Sequence, residues 1–195
     1  MKKNYIFIII LFISLFTLKV MADDYDEIKK LYEPKGYTVT KCNIAKNWAV
    51  IDWKYKRECE GMALLKYTDG KWTTVCCAGG AFDYDFLSQK DVPLELWQKL
   101  IPTDIPRWTY LTSKERLTYD RLENDRYTPL ILTLMRNEIF AKYGRKFNDP
   151  LLRSYFETCP WYKINPYYND NMLTKIERYN AQLILDYQKY NNLLY

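Results

Sequence analysis

Arg136, Asn137 and Glu138 stand side by side within LMRNEIFAKYGRKF, Leu134 to Phe147. A guanidinium with five donors, an amide and a carboxylate can do two kinds of chemistry: clamp an anionic ligand, or tie loop carbonyls and a neighbouring charge into an internal network. On a helical wheel Leu130, Leu134 and Ala141 share one side, Ile131, Met135, Ile139 and Tyr143 occupy the opposite one, and Phe140 fills part of the gap. A helix apolar almost all round is a central one. The trio then has little solvated face, and polar groups in such a place must be hydrogen-bonded and charges paired. The pattern favours an internal network that pins the loops around Trp161 and Tyr167, with Arg136 as an anion clamp the alternative. Lys142, just beyond, reads as an exposed charge.

The remaining chemistry is thin. The chain contains no His, which removes Ser-His and Cys-His nucleophile pairs, a His general base and His-containing zinc sites. The carboxylates offer no pair that stands out as glycosidase machinery. No metal or cofactor is expected, and Gly79-Gly80 reads as a tight turn, since a phosphate loop needs more than two glycines. Trp161, Tyr162, Tyr167 and Tyr168 lie in a Pro-punctuated loop, where aromatics can stack on a glycan or peptide as well as serve the core.

The ends and the cysteines say where this chemistry would operate. Lys2 and Lys3 precede an apolar run from Tyr5 to about Leu18, followed by Val20-Met21-Ala22 and two aspartates. That is the form of a secretory signal peptide cleaved after Ala22, and the run is too short for a retained anchor. Export to a periplasm or the cell exterior is expected, with no stable membrane anchor after cleavage. Lys2, Lys3 and Lys19 leave with the leader and no acid does, so the net charge falls from +5 to +2. Such a balance gives no reason to expect nucleic acid as a partner. In an oxidising compartment Cys42, Cys59, Cys76, Cys77 and Cys159 predict two disulfides and one thiol, with pairing left open by spacing.

These residues must be positioned by an α+β arrangement: an N-terminal antiparallel β-meander with flanking helices, then a small all-α C-terminal domain. Tyr37 to Cys42, Trp48 to Tyr55, Gly61 to Tyr67 and Trp72 to Cys77 are rich in β-branched and aromatic residues. Asp69-Gly70 predicts a type I′ hairpin turn pairing Tyr67 with Trp72, which would set Leu64 opposite Val75 and Met62 opposite Cys77. Helical stretches at Asp26 to Tyr32 and Asp83 to Leu100 are available to cover the sheet. Pro102 and Pro106 suggest a boundary, giving a leader at 1–22, an α+β domain at 23–101 and a helical domain at 107–195.

Within the helical part, Ser113 to Leu122 is a first helix. A second begins with Thr128 as N-cap and Pro129 at the first helical position and stops at Gly144. Pro150 to Thr158 is a third, capped by Asn148 or Asp149. The last starts at Asn169 or Asp170, with Met172, Leu173, Ile176, Tyr179, Leu183, Ile184 and Tyr187 facing inward and Lys175, Glu177, Gln182 and Lys189 outward.

Residues Leu134 to Ile184 resemble the YARHG domain of secreted and cell-surface bacterial proteins, whose signature is an Arg-Asn-Glu-Ile run followed by Tyr-Ala-Arg-His-Gly. Arg136, Asn137, Glu138, Ile139, Ala141 and Gly144 match it, as do Phe156 and Trp161-Tyr162 further on. Phe140, Lys142 and Tyr143 depart from it, standing where the family has Tyr, Arg and His. The resemblance implies no enzymatic activity. The sequence therefore predicts a binding or interaction module of the envelope, with another envelope protein or a cell-wall glycan as partner. A glycan hydrolase using carboxylates and an inhibitor of another exported protein are the alternatives.

Overall fold

The computed structural model describes residues 23–56 and 59–195, so the expected leader lies outside the described residues. The architecture is α+β, with a four-stranded antiparallel sheet followed by helices. The chain divides into two compact units between Ala81 and Phe82, ahead of the Pro102 to Pro106 stretch where proline signals suggest a boundary. Prolines there interrupt helices inside the second unit.

The first unit is a helix, α1 (residues 23–32), and a meander of β1 (Tyr37–Ala45), β2 (Trp48–Tyr55), β3 (Cys59–Thr68) and β4 (Lys71–Ala78) in the order β1-β2-β3-β4. Ile28 and Tyr32 of α1 pack with Ala49, Ile51, Ala63, Leu65 and Trp72 into one core. The Trp72 indole N–H donates to Asp24 at 3.0 Å, and the Tyr32 and Thr74 hydroxyls are 2.7 Å apart. Asp69 and Gly70, both at positive φ, make the tight β3–β4 turn, and Tyr67 pairs with Trp72 as the turn chemistry requires.

Two expectations are corrected in this sheet. Beyond Leu65↔Thr74 the register shifts by one, so Leu64 pairs with Cys76 and Met62 with Ala78, leaving Val75 as an exposed bulge. The five cysteines are also all free thiols. Cys42 on β1 and Cys76 and Cys77 on β4 have two strands between them, roughly 14 Å at the usual strand spacing. A disulfide spans Cα atoms no more than about 7 Å apart. Cys77 pairs with Ala63, further along β3 than Cys59 by a rise of about 13 Å. Cys159 is the second unit's own cysteine, buried, and its thiol donates to the Tyr155 carbonyl at 3.6 Å. Burial raises the Cys42 and Cys159 thiols to about 11 and about 12, so neither is ionised near neutrality.

The second unit holds α2 (Tyr84–Gln89), α3 (Trp97–Leu100), a π-helical turn (Tyr110–Lys114), α4 (Tyr119–Asp125), α5 (Pro129–Ala141), α6 (Pro150–Phe156) and α7 (Lys175–Tyr190). Pro93 divides the expected Asp83 to Leu100 helix into α2 and α3, and the expected Ser113 to Leu122 helix is broken before its Thr118 cap. Thr128 caps α5 as expected, its hydroxyl accepting from the Ile131 N–H, and Asp149 caps α6. The last helix starts later than expected: Asn169 caps only a short 3-10 turn, and Thr174 opens α7 through a capping box with Glu177.

Candidate functional site

Helix α5 is the centre of the second unit; Leu130 to Met135 and Asn137 to Ile139 are all buried. Its sequence ends in a Schellman stop. The Gly144 N–H donates to the Ala141 carbonyl at 2.8 Å, the Arg145 N–H to the Phe140 carbonyl at 3.3 Å, and Gly144 sits at φ +82°. A Cβ at Gly144 would lie 2.5 Å from the Lys163 carbonyl oxygen and 2.6 Å from Asn165, so glycine is needed for space as well as for φ. The Asn165 N–H donates back to the Gly144 carbonyl at 2.8 Å, and the Tyr162 hydroxyl donates to the Arg145 carbonyl at 2.7 Å. The loop around Trp161 and Tyr167 is thus pinned by backbone groups at the helix stop.

The opening trio splits. Residues two apart on a helix are turned about 200° from each other, so Glu138 and Arg136 face opposite sides of α5. Glu138 is fully buried, and its carboxylate accepts from the Arg107 and Trp108 N–H groups, each at 2.7 Å. Burial raises it to about 7 against those two hydrogen bonds and the Lys142 and Arg107 charges. The Asn137 amide donates to the Thr133 carbonyl at 2.8 Å.

One turn after Glu138, Lys142 is not the exposed charge expected. Its side chain is 14 % exposed and its ammonium donates to Glu177 of α7 at 2.5 Å and also to Ser113. Glu177, expected on the outer face, is 1 % exposed and collects further donations from Ser113, Tyr143 and the Thr174 N–H at 2.8, 2.9 and 2.8 Å. Burial alone would raise this carboxylate; the Lys142, Thr174, Ser113 and Tyr143 donors outweigh it and hold the group down at about 2. Lys142 keeps a charge where the family has Arg, and Tyr143 keeps a donor where it has His. One α7 turn on, Asn180 is fully engaged: its amide donates to the Thr112 and Glu115 carbonyls and accepts from the Leu117 N–H.

The other side of α5 is open. Arg136 lines a cavity of about 390 Å³ together with Phe140, Arg145, Asp170, Leu173 and Arg178, and the α7 stripe Arg178, Ala181, Gln182 and Leu185 closes one wall. Arg136 Nη1 is buried without a hydrogen-bond partner among the described residues. Burial, and then the Arg145 charge, lower its pKa from the usual guanidinium value. The Arg145 guanidinium lies 4.8 Å from the Phe140 ring centre. A second cavity of about 530 Å³ shares Arg145 and Asp170 with the first and adds Lys146, Asn165 and Tyr168.

The four loop aromatics also divide. Trp161 and Tyr162 pack on Phe156, with ring centres 6.0 and 5.7 Å away, and Tyr162 also meets Phe147. Tyr168 lines the second cavity and donates its hydroxyl to Asp170 at 2.6 Å, whereas Tyr167 is 82 % exposed. Sequence reasoning missed Arg145, Arg178 and Asp170. The signal for Arg178 was its i, i+4, i+7 spacing with Gln182 and Leu185, a second α7 stripe beside the core one. Among the described residues no group of His, Cys, Asp or Glu is arranged to hold a metal ion.

Residues 108–189, in the C-terminal part of the chain, match the YARHG domain family. That domain is associated with extracellular and periplasmic proteins. Neither a curated protein nor a solved structure matches the chain. No helix among the described residues is long and apolar enough to cross a membrane.

Proposed function

We propose that the protein is an exported binding module whose YARHG domain captures an anion-bearing ligand of the envelope, on a protein or a cell-wall glycan, in the Arg136 cleft, without catalysis. One observation carries this reading: three arginines, Arg136, Arg145 and Arg178, line one cavity, and Arg136 also has a buried Nη1 with no hydrogen-bond partner among the described residues. Three guanidiniums lining one cavity offer many donors to a bound acceptor, and arginine's planar fork suits carboxylate or phosphate oxygens. Glu138, whose raised pKa would suit a general acid or base, spends both oxygens on backbone N–H groups on the far side of the helix. That favours binding over hydrolysis.

The test is retention of the purified chain on envelope extract and on isolated cell-wall material. Wild type should be retained and released by salt, and Arg136→Ala should pass through while melting as wild type does. Equal retention of the variant would remove the cleft from the function.

A further inference from the structure

We infer that the group received in this cleft is a dianion of the phosphate-monoester kind, carried on a ring or other apolar body. The inference rests on the cleft being an anion site, as proposed above, and adds the charge and shape of what enters.

Charge sets the first part. Arg136, Arg145 and Arg178 bring three fixed positive charges to one cavity, and Asp170 is the one carboxylate among its lining residues. Asp170 already accepts the Tyr168 hydroxyl. The cavity therefore carries a surplus of two positive charges, which a carboxylate halves and a phosphate monoester, at about −1.5 to −2 near neutrality, matches. Such a group also has three terminal oxygens, one for each guanidinium, where a carboxylate has two. Guanidinium rather than ammonium at all three positions suits planar, paired hydrogen bonding to these oxygens.

Shape sets the second part. Phe140, Leu173, Ala181 and Leu185 give the same cavity an apolar wall, and about 390 Å³ is the size of a small-molecule site. A bare inorganic ion would leave that wall uncovered. A ring or short apolar body behind the phosphate covers it and removes apolar surface from water. The Phe140 ring already stacks beside the Arg145 guanidinium, so a ligand ring would extend an existing cation–π pair.

The experiment is calorimetric titration of the purified chain with phenyl phosphate, inorganic phosphate, benzoate and phenol as probes. Phenyl phosphate should bind at least about tenfold more tightly than either benzoate or inorganic phosphate, a difference of about 1.4 kcal/mol, and phenol should give no heat. Arg136→Met and Arg178→Met should each weaken phenyl phosphate by about tenfold, and both should melt as wild type does. Arg178 is exposed, so its variant tests the site even if Arg136→Met folds poorly. Benzoate equal to phenyl phosphate would overturn the dianion while leaving an anion site in place. Inorganic phosphate equal to phenyl phosphate would overturn the apolar body. No binding of any anion, or binding unchanged in both variants, would overturn this inference and the anion site together.

Discussion

The two sides of α5 handle buried charge in opposite ways. On the Glu138–Lys142 side, carboxylates are met by backbone N–H groups, an ammonium and hydroxyls, and Glu177 alone has four donors. On the Arg136–Phe140 side, a guanidinium is partly desolvated and keeps an unpaired nitrogen beside two like charges. The contrast teaches that burial of a charge does not by itself mark it as structural. On the sealed side both oxygens of Glu138 and of Glu177 meet donors and hold the fold, although Arg107 Nε there is buried without a partner among the described residues; on the open side three guanidiniums line one cavity with a single carboxylate.

Removing the hub of the sealed side should break the molecule most. Glu177→Ala leaves Lys142 in a site 14 % exposed without its carboxylate and should cost about 3 to 5 kcal/mol. Denaturant titration checks it; a loss no larger than that of an exposed-residue variant would show the pair to be dispensable. The sign of the pH dependence follows from the depressed carboxylate. Its contribution is present above the ordinary value of 4.5 and is lost as pH falls through about 2. Glu177→Gln should therefore flatten the acid limb of a melting-temperature profile.

Next comes the helix stop, where Gly144→Val combines a left-handed φ with the close approach of Lys163 and Asn165. About 2 to 3 kcal/mol is expected, and unchanged melting would mean the 163–165 loop can retreat freely. Glu138→Gln keeps the shape but leaves one of the Arg107 and Trp108 N–H donors facing an amide N–H. About 1 to 2 kcal/mol should go with it. Because this carboxyl is raised, its contribution is full below 4.5 and fades as pH rises through about 7. The variant should erase that alkaline slope, and a slope unaltered by it would assign the titration elsewhere.

The smallest effect is the most discriminating. Arg136→Met should change stability by no more than about 0.5 kcal/mol, since it removes a charge with no partner at Nη1. A steep loss would instead join Arg136 to the sealed side and close the comparison.

Much of the fold was legible because local chemistry decided it. Asp69-Gly70 dictated a turn, Thr128-Pro129 a helix start and Gly144 a stop, and each is where these residues place it. The Val75 bulge was not legible, since the turn fixes register only as far as the strands stay regular. The disulfides failed because a cysteine count ignores distance: Cys42 and the Cys76-Cys77 pair lie on opposite edges of the sheet, beyond the reach of a bridge. For the site, the wheel correctly gave α5 little free polar surface. It could not say that Arg136 and Glu138 meet different neighbours, because those neighbours come from the loops before α5 and from α7. Glu177 was misplaced outward because a charged residue on an amphipathic helix is usually solvated; its capping-box spacing from Thr174 was the available hint.

The separation of two stripes on α7 has a practical consequence. Glu177, Asn180, Ile184 and Gln188 face the packed interior, while Arg178, Gln182 and Leu185 face the cleft. Ala181 belongs to both the core and the cleft wall, whereas the polar positions of the two stripes are separate. Arg178 and Gln182 on α7 and Arg136 on α5 can therefore be exchanged without touching the hydrogen bonds of Glu177, Asn180 and Gln188. For protein engineering this makes the domain a template whose cleft lining can be varied in a small combinatorial library without a parallel search for compensating stability.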